Sequence, residues 1–486
     1  MLNNKKFLAC FISSALALQS CAPSLPNYKN LPKEKIEAPA QFPNQTPKEG
    51  DSKKDDLVKK NWKLLFSDRQ LIDLINTALR NNQELNILKQ DINIANNEVM
   101  ARQGQYLPKV GIGASYETEK TSKFTSKGAS DDLANLPSKL HNRQVSLNAS
   151  WEIDIWQKLR NSAKSAYFEY LASVEGRNFA VTQLVAEVAD NYYELMALDN
   201  QLEIVEQFVM NLKEAQRVAE LQKIAGRNTS LPVSRFDAEI KKNESRKFQI
   251  TQEIVVKENH LNTLLGRLPQ PIARASKDFK ETKLAEFDTN IPADLMDNRP
   301  DVKQAELRLQ AAKISVKSVK AEFYPSLNID AAVGYKSFNA GHFMDPQALF
   351  SSVAAGLTAP LLNRNAIKAE YFSANSKQIQ AIYDYEQTFI KAFAEVSNQL
   401  AAVENLKQVY KAKSGQVDDL ANAFEISNIL FRAARVDYLE SLLTRRDYLE
   451  AQMELMDAKQ QQLSAYVNLY RALGGGWRDE VAQLAK

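Results

Sequence analysis

Cysteine is almost missing from this chain: among 486 residues only Cys10 and Cys21 carry a thiol. Cys10 lies in an apolar run, residues 7–18, that follows Asn3, Asn4, Lys5 and Lys6, the layout of a secretory signal that is cut away. The mature chain then keeps one thiol and forms no internal disulfide, so an exported protein of this size must hold together by packing. Charge of one sign is missing too. Lys and Arg number 62 and Asp and Glu 59, which removes the basic excess expected of a nucleic-acid binder. Histidine is scarce: His141, His260 and His342 stand far apart, with no cysteine or paired carboxylate at ligand spacing, so no metal is expected on them. The apolar run is too short for a spanning helix, which takes about 20 residues. No nucleophile elbow, phosphate loop or zinc-type histidine pair occurs, and no enzymatic reaction is expected.

The apolar run closes on Leu18-Gln19-Ser20-Cys21, which resembles a bacterial lipobox. The resemblance implies that Cys21 becomes the first residue and carries an N-acyl group and an S-diacylglycerol, more than the single chain that binds a membrane only marginally. No other cofactor is expected. Ala22 follows, where an aspartate would resemble an inner-membrane retention signal. Residues 21–61 are rich in proline and lysine without an apolar period, and read as an extended, lipid-anchored leader.

Beyond it the chain is one motif written twice. Asn81-Asn82-Gln83-Glu84-Leu85 aligns with Asn298-Arg299-Pro300-Asp301-Val302, and in the same register Leu107-Pro108 meets Tyr324-Pro325. Ala186-Glu187-Val188 matches Ala394-Glu395-Val396, and Leu265-Gly266 matches Leu473-Gly474, in a shifted register that places length differences in the loops between strands. A period of about 200 residues is far beyond solenoid repeats, so this is a duplicated domain. The expected organisation is a signal peptide (1–20), the leader (21–61), a first repeat (62–270), a linker (271–292), a second repeat (293–477) and a C-terminal tail (478–486).

Each repeat reads helix, strand, loop, strand, long helix, turn, shorter helix. The first helix is marked by Leu71, Leu74, Ile75, Ala78 and Leu79. The clearest strand sets Val145, Leu147, Ala149, Trp151, Ile153 and Ile155 against Gln144, Ser146, Asn148, Ser150, Glu152 and Asp154. Val110, Ile112, Ala114 and Tyr116 precede it; Leu327, Ile329, Ala331, Val333 and Tyr335, then residues 349–359, repeat the pair in the second half. About 10 alternating residues suit a tilted strand crossing a bilayer, apolar side to lipid and polar side to a lumen. A soluble sandwich alternates in the same way. Four strands do not close a water-filled barrel, so the membrane reading requires several chains to share one.

Proline then disappears and the helical signal becomes very long. Leu184, Val188, Asn191, Leu195, Leu198, Leu202, Val205, Val209 and Leu212 recur at steps of four and three, a heptad seam. Phe389, Phe393, Val396, Leu400 and Val403 repeat it within residues 366–433. Burying each seam residue contributes about 1.5–3 kcal/mol. The exposed ion pairs beside it give at most about 1 kcal/mol each, so the seam sets the architecture.

Several segments together resemble the TolC-like outer-membrane factors of tripartite efflux pumps, in their NodT-type lipoprotein branch. Trp62-Lys63-Leu64-Leu65-Phe66-Ser67-Asp68 is similar to that family's opening, and Trp151-Glu152-Ile153-Asp154-Ile155-Trp156-Gln157-Lys158-Leu159-Arg160 to its strand-to-helix signature, with Gln157 where a glycine is usual. Asn298-Arg299-Pro300-Asp301-Val302 with Tyr324-Pro325 is similar to the matching site of its second repeat. The resemblance implies a mainly α fold with a transmembrane β part: a homotrimer whose strands form one twelve-stranded barrel, continued by a periplasmic α-helical barrel. It implies a passive outer-membrane conduit for small molecules, with a periplasmic adaptor and a proton-driven inner-membrane transporter as partners and no nucleic acid. It also implies that function sits in two turns, Gly226-Arg227-Asn228-Thr229-Ser230-Leu231 and Ala434-Arg435-Val436-Asp437-Tyr438-Leu439-Glu440. Glu440 matches a position of a gating aspartate, Leu443 occupies the other such position, and Asp437 is a substitute; Arg445 or Arg446 would share tip contacts with Glu440. Acidic side chains are also simply favoured near a helix N-terminus. Gly226, Arg227, Ala434 and Arg435 are the expected adaptor contacts, Ala434 standing where a glycine is usual. The rival is a periplasmic adaptor lipoprotein, which would hold one hairpin between halves of a small β-barrel rather than two hairpins with paired strands.

Overall fold

The computed structural model describes residues 22–25, 62–282, 298–360 and 364–477. The signal peptide, Cys21, most of the leader, part of the linker with the start of the second repeat (283–297), and the C-terminal tail lie outside the described residues. Within them two compact units form. One takes residues 22–25, 92–172, 305–360 and 364–385, the other 62–91, 173–282, 298–304 and 386–477, so each unit draws on both halves of the sequence.

In chain order the elements are α1 (Arg69–Asn81), α2 (Gln83–Gln105), β1 (Lys109–Glu119), α3 (Ser126–Leu133), β2 (Leu140–Ile153), α4 (Lys158–Ile224) and α5 (Leu231–Leu264), then α6 (Pro300–Ala321), β3 (Ser326–Ser337), β4 (Leu349–Thr358), α7 (Asn365–Arg432) and α8 (Tyr438–Ala472). The expected order holds in both halves, with differences of local cause. The opening helix is broken at Asn82, whose side-chain oxygen accepts from the Leu85 amide at 3.0 Å and so starts α2 afresh. A short α3, capped by Thr125, stands in the β1–β2 loop. Strand β2 stops at Ile153 because Asp154 turns inward to accept from the Leu159 and Arg160 amides at 3.1 and 2.8 Å, starting α4. Ile155 is thus not a strand residue.

The first unit is built on one antiparallel sheet in the order β1-β2-β3-β4. Its register sets Val110, Ala149, Ala331 and Val353 side by side, and Ile112, Leu147 and Val333 one level further. Positions that face one another share a face, so one side of the sheet is predominantly apolar, with Thr118, His141, Arg143, Ser337 and Ser351 as its polar members. Ala22 and Leu25 pack against a cluster of Val316, Val319, Phe323, Tyr371 and Ala374 in the same unit.

The second unit is held by the seam. Val188, Leu195, Val205 and Leu212 are fully buried, and Leu184, Asn191, Leu198 and Val209 nearly so. Phe389 and Val396 are buried in the same way on α7. The duplication is visible in the hydrogen bonds. Asn82 donates to the Leu264 carbonyl at 3.0 Å; its partner in the alignment, Arg299, donates to the Ala472 carbonyl at 2.8 Å, which is the aligned position. A Cβ on Gly266 would stand 2.3 Å from the Asn81 carbonyl oxygen, and one on Gly474 would stand 2.5 Å from that of Asn298. The two glycines, with φ +64 and +82, are therefore required by close approach as well as by conformation.

Candidate functional site

Two places carry the expected function: the sheet of the first unit and the hairpin turns of the second. On the sheet, Val110, Ile112 and Tyr116 of β1, Leu147 and Trp151 of β2, Val333 of β3 and Leu349, Val353 and Leu357 of β4 are all exposed large apolar side chains. A soluble sandwich would cover this face; among the described residues nothing covers it. The opposite face carries a polar ladder, in which Gln144 donates to Ser146 and Ser146 to Asn148, each at 3.2 Å. Trp151 and Trp156 anchor the end of the sheet nearest the helices by donating to the carbonyls of Tyr106 and Pro325, at 3.0 and 2.8 Å. Among the described residues, no strand lies beside the outer edges of β1 and β4.

Helices α4 and α5 are joined by residues 225–230, and α7 and α8 by residues 433–437. Both long helices end in the same cap. The Arg227 amide bonds the Gln222 carbonyl and the Gly226 amide that of Lys223; the Arg435 amide bonds Leu430 and the Ala434 amide Phe431, all at 2.9–3.1 Å. This cap needs a left-handed residue, and Gly226 at φ +70 and Ala434 at φ +50 supply it. Gly226, Arg227, Ala434 and Arg435 are all exposed. Asp437 is the N-cap residue of α8, yet its side chain makes no capping bond, and Tyr438, Leu439 and Glu440 belong to the first turn of α8 rather than to the loop. Glu440 is exposed.

Arg445 and Arg446 part company. Arg446 is exposed beside Asp447 and Glu450, at 3.7 and 4.0 Å. Arg445 is 3 % exposed and turns into the bundle, donating to Asn428 at 2.7 Å with its charge over the Phe424 ring. Burial, then the nearby Arg432, pulls its pKa down to about 10, with Glu425 acting the other way. Among the described residues no ion pair joins Glu440 to either arginine within the chain. Beside them Gln222 donates to the Phe431 carbonyl at 3.0 Å and Phe236 packs on Phe431 at 5.8 Å, tying the end of α7 to the first hairpin. Gln222, Asn428 and Phe431 were not singled out in the sequence, because a polar or aromatic residue inside a long helix carries no signal of which face it occupies.

The Asn298-Arg299-Pro300-Asp301 motif turns out to be a clamp. Arg299 holds Asp301 through two bonds of 3.0 and 2.7 Å and Glu395 at 2.9 Å, and Glu395 reaches Arg471 at 2.8 Å. Burial works against the charge of Arg299, but its hydrogen bond and charge interaction with Asp301 and the charge of Glu395 outweigh this and raise its pKa.

A duplicated chain with one strand pair and one long helical hairpin per repeat, and an uncovered apolar sheet face, is the fold of outer-membrane channels rather than of a one-hairpin adaptor. The profile of the outer membrane efflux protein family matches residues 74–267 and 291–475, and the chain belongs to that family. The pyoverdine export outer membrane protein OpmQ of Pseudomonas putida is 26% identical over 475 residues, 96% of this chain and 97% of that protein. The cation efflux system protein CusC of Escherichia coli is 26% identical over 423 residues, 86% and 88% of the two chains. Among solved structures, the open state of the Neisseria gonorrhoeae MtrE outer membrane channel superposes with TM-score 0.80 at 24% identity, over 94% of this chain and 99% of that one. The outer-membrane channel OprN does so with TM-score 0.82 at 21% identity, over 93% and 99%. Membership sets aside the adaptor reading and supports an outer-membrane efflux component.

Proposed function

We propose that this chain is one subunit of a homotrimeric conduit through which a tripartite efflux system exports small molecules across the periplasm and outer membrane. The observation that carries this is the sheet: four strands, open at both edges, with lipid-suited side chains on one face and a polar ladder on the other. In lipid every strand edge must be paired, so such a sheet requires closure by copies of itself, β4 of one chain beside β1 of the next. Three copies give the twelve-stranded barrel, and the hairpins give a helical barrel on the periplasmic side. Lipidation of Cys21 would add N-acyl and S-diacylglycerol anchors to the outer membrane. Gly226, Arg227, Ala434 and Arg435, exposed at the turns, are the adaptor contacts, and a proton-driven inner-membrane transporter supplies the work. Glu440, with Asp437 beside it, lines the periplasmic gate: three copies about the symmetry axis would attract cations. Arg446, exposed on the same helix, is the arginine we assign to the gate with it, while Arg445, turned into the bundle, supports the gate from inside.

The test is extraction from outer membranes, mass determination and planar-bilayer recording. A trimer with conductance is expected; a monomer without conductance overturns the proposal. In the same recordings Glu440→Ala is expected to weaken cation selectivity, and unchanged conductance and selectivity would remove Glu440 from the gate.

A further inference from the structure

The apolar face of the sheet holds, among the described strands, one residue of the Asp, Glu, Lys and Arg class. Facing positions on β1, β2, β3 and β4 carry valine, isoleucine, leucine, alanine, tyrosine, tryptophan, serine, threonine, His141 and, alone among Asp, Glu, Lys and Arg, Arg143. Arg143 stands level with Tyr116 on one side and Ser337 on the other. Its guanidinium lies 5.4 Å from the centre of the Tyr116 ring, and Nη1 donates to the His141 carbonyl at 3.2 Å. Tyr116 in turn stacks on His141 at 10° and its hydroxyl meets Nδ1 at 2.8 Å, with the Thr118 hydroxyl at 3.2 Å. Among the described residues no carboxylate pairs with Arg143. The acids of the adjacent strand, Glu117 and Glu119, alternate onto the other face, and Glu119 is taken by Lys127 at 2.6 Å. Because β2 is flanked by β1 and β3 of its own chain, no strand of a copy joined at the sheet edges stands directly beside Arg143.

Depth decides what would meet this charge. Arg143 and Trp151 are eight residues apart on β2. At about 3.4 Å per residue and a tilt of about 40°, that separation is roughly 20 Å along a barrel axis, close to the ~25 Å apolar band of such barrels. Trp151 marks one membrane boundary; Arg143, Tyr116 and His141 then stand at the other, where headgroups begin. A guanidinium recognises phosphate through paired N–H donors. The ring stack holds it in place before any ligand arrives.

We propose that Arg143, positioned by Tyr116 and His141, binds the phosphate of an anionic membrane lipid in the leaflet on the loop side of the sheet. This rests on the barrel reading above, and the two can fail separately. The full-length protein is reconstituted into nanodiscs of phosphatidylcholine alone or mixed with phosphatidylglycerol, and retained lipid is counted by native mass spectrometry. The wild type should retain phosphatidylglycerol in preference, and R143Q should lose about fivefold of that preference, equivalent to the ~1 kcal/mol of one basic side chain at an anionic surface. R143K, which keeps the charge, should retain part of it. No preference in the wild type, or the same preference in R143Q, overturns the proposal. Preference abolished by inorganic phosphate in the buffer assigns the site to a free anion and overturns it as well. Quenching of Trp151 fluorescence by brominated phosphatidylcholine, with Trp151→Phe to isolate its share, checks the barrel independently: absence of quenching sinks the membrane reading itself, whereas quenching with no effect at Arg143 sinks only the lipid site.

Discussion

Single residues show where this chain departs from its most comfortable state. Gln157 and Ala434 stand at φ +60 and +50, a region in which a side chain costs about 1–2 kcal/mol and glycine costs nothing. Both are positions where the family resemblance leads one to expect glycine. Replacing either by glycine adds chain entropy to the unfolded state, worth about 0.4–1 kcal/mol, so the net gain is smaller than the strain relieved. Gln157→Gly and Ala434→Gly are expected to raise stability by roughly 0.5–1 kcal/mol each, seen as a higher unfolding midpoint in detergent; a fall at both sites would mean that the strain is absent. Asp190 is a second such place. Burial pushes its pKa up to about 6, against hydrogen bonds from Ser464 and Asn468 and the charge of Arg471, and Glu194 adds to the rise. The folded chain therefore keeps a proton that the unfolded chain, titrating near 3.8, gives up. Stability from this group is greatest below about pH 4 and is lost as the pH rises through 6, the reverse of a salt-bridged carboxylate. Asp190→Asn should flatten that window and stabilise the protein at neutral pH by up to ~3 kcal/mol, the full value of the shift. A pH–stability profile indistinguishable from wild type would rule the group out.

Elements were the most legible scale. Two-residue alternation and the four-three seam depend on nothing outside the segment, so β1 to β4 and the long helices could be placed before any packing was known. What escaped was set by contacts between segments: the restart at Asn82, the early end of β2 at Asp154, and the inward turn of Arg445, whose partners Asn428 and Phe424 are on another helix. The turns were legible as positions, while the division of labour between Arg445 and Arg446 was not, since neighbouring residues on a helix point about 100° apart and sequence alone does not say which direction is the core. The seam also makes a quantitative claim. Leu195 is fully buried within it, and Leu195→Ala should cost about 2–5 kcal/mol. The Lys213–Glu244 pair, at 2.9 Å with side chains 56% and 44% exposed, should cost less than about 1 kcal/mol when Lys213 becomes alanine. Comparable losses in a denaturation experiment would show that the helices are held by their surface charges rather than by the seam.

For the whole molecule, the solvent that each side of the sheet meets decides the assembly, and two adjacent residues separate lipid from water. Leu147 and Asn148 occupy almost the same depth on β2 but opposite faces; both are exposed in the single chain. If Leu147 faces lipid, a lysine there pays the cost of charge near the bilayer midplane, about 2–4 kcal/mol per chain, and a trimer carries it three times over. Leu147→Lys should therefore leave little assembled trimer in outer membranes. Asn148→Lys places the same charge on the polar face, where water and the ladder of Gln144 and Ser146 receive it, so trimers should form normally and their channels should conduct anions relatively better than wild type. A closed soluble sandwich makes a different demand: one of the two faces would be its dry core, and neither substitution would alter ion selectivity, since there would be no pore. Recording both variants in planar bilayers, with trimer yield measured by native electrophoresis, thus separates the assembly from its soluble alternative by a difference of one position in the chain.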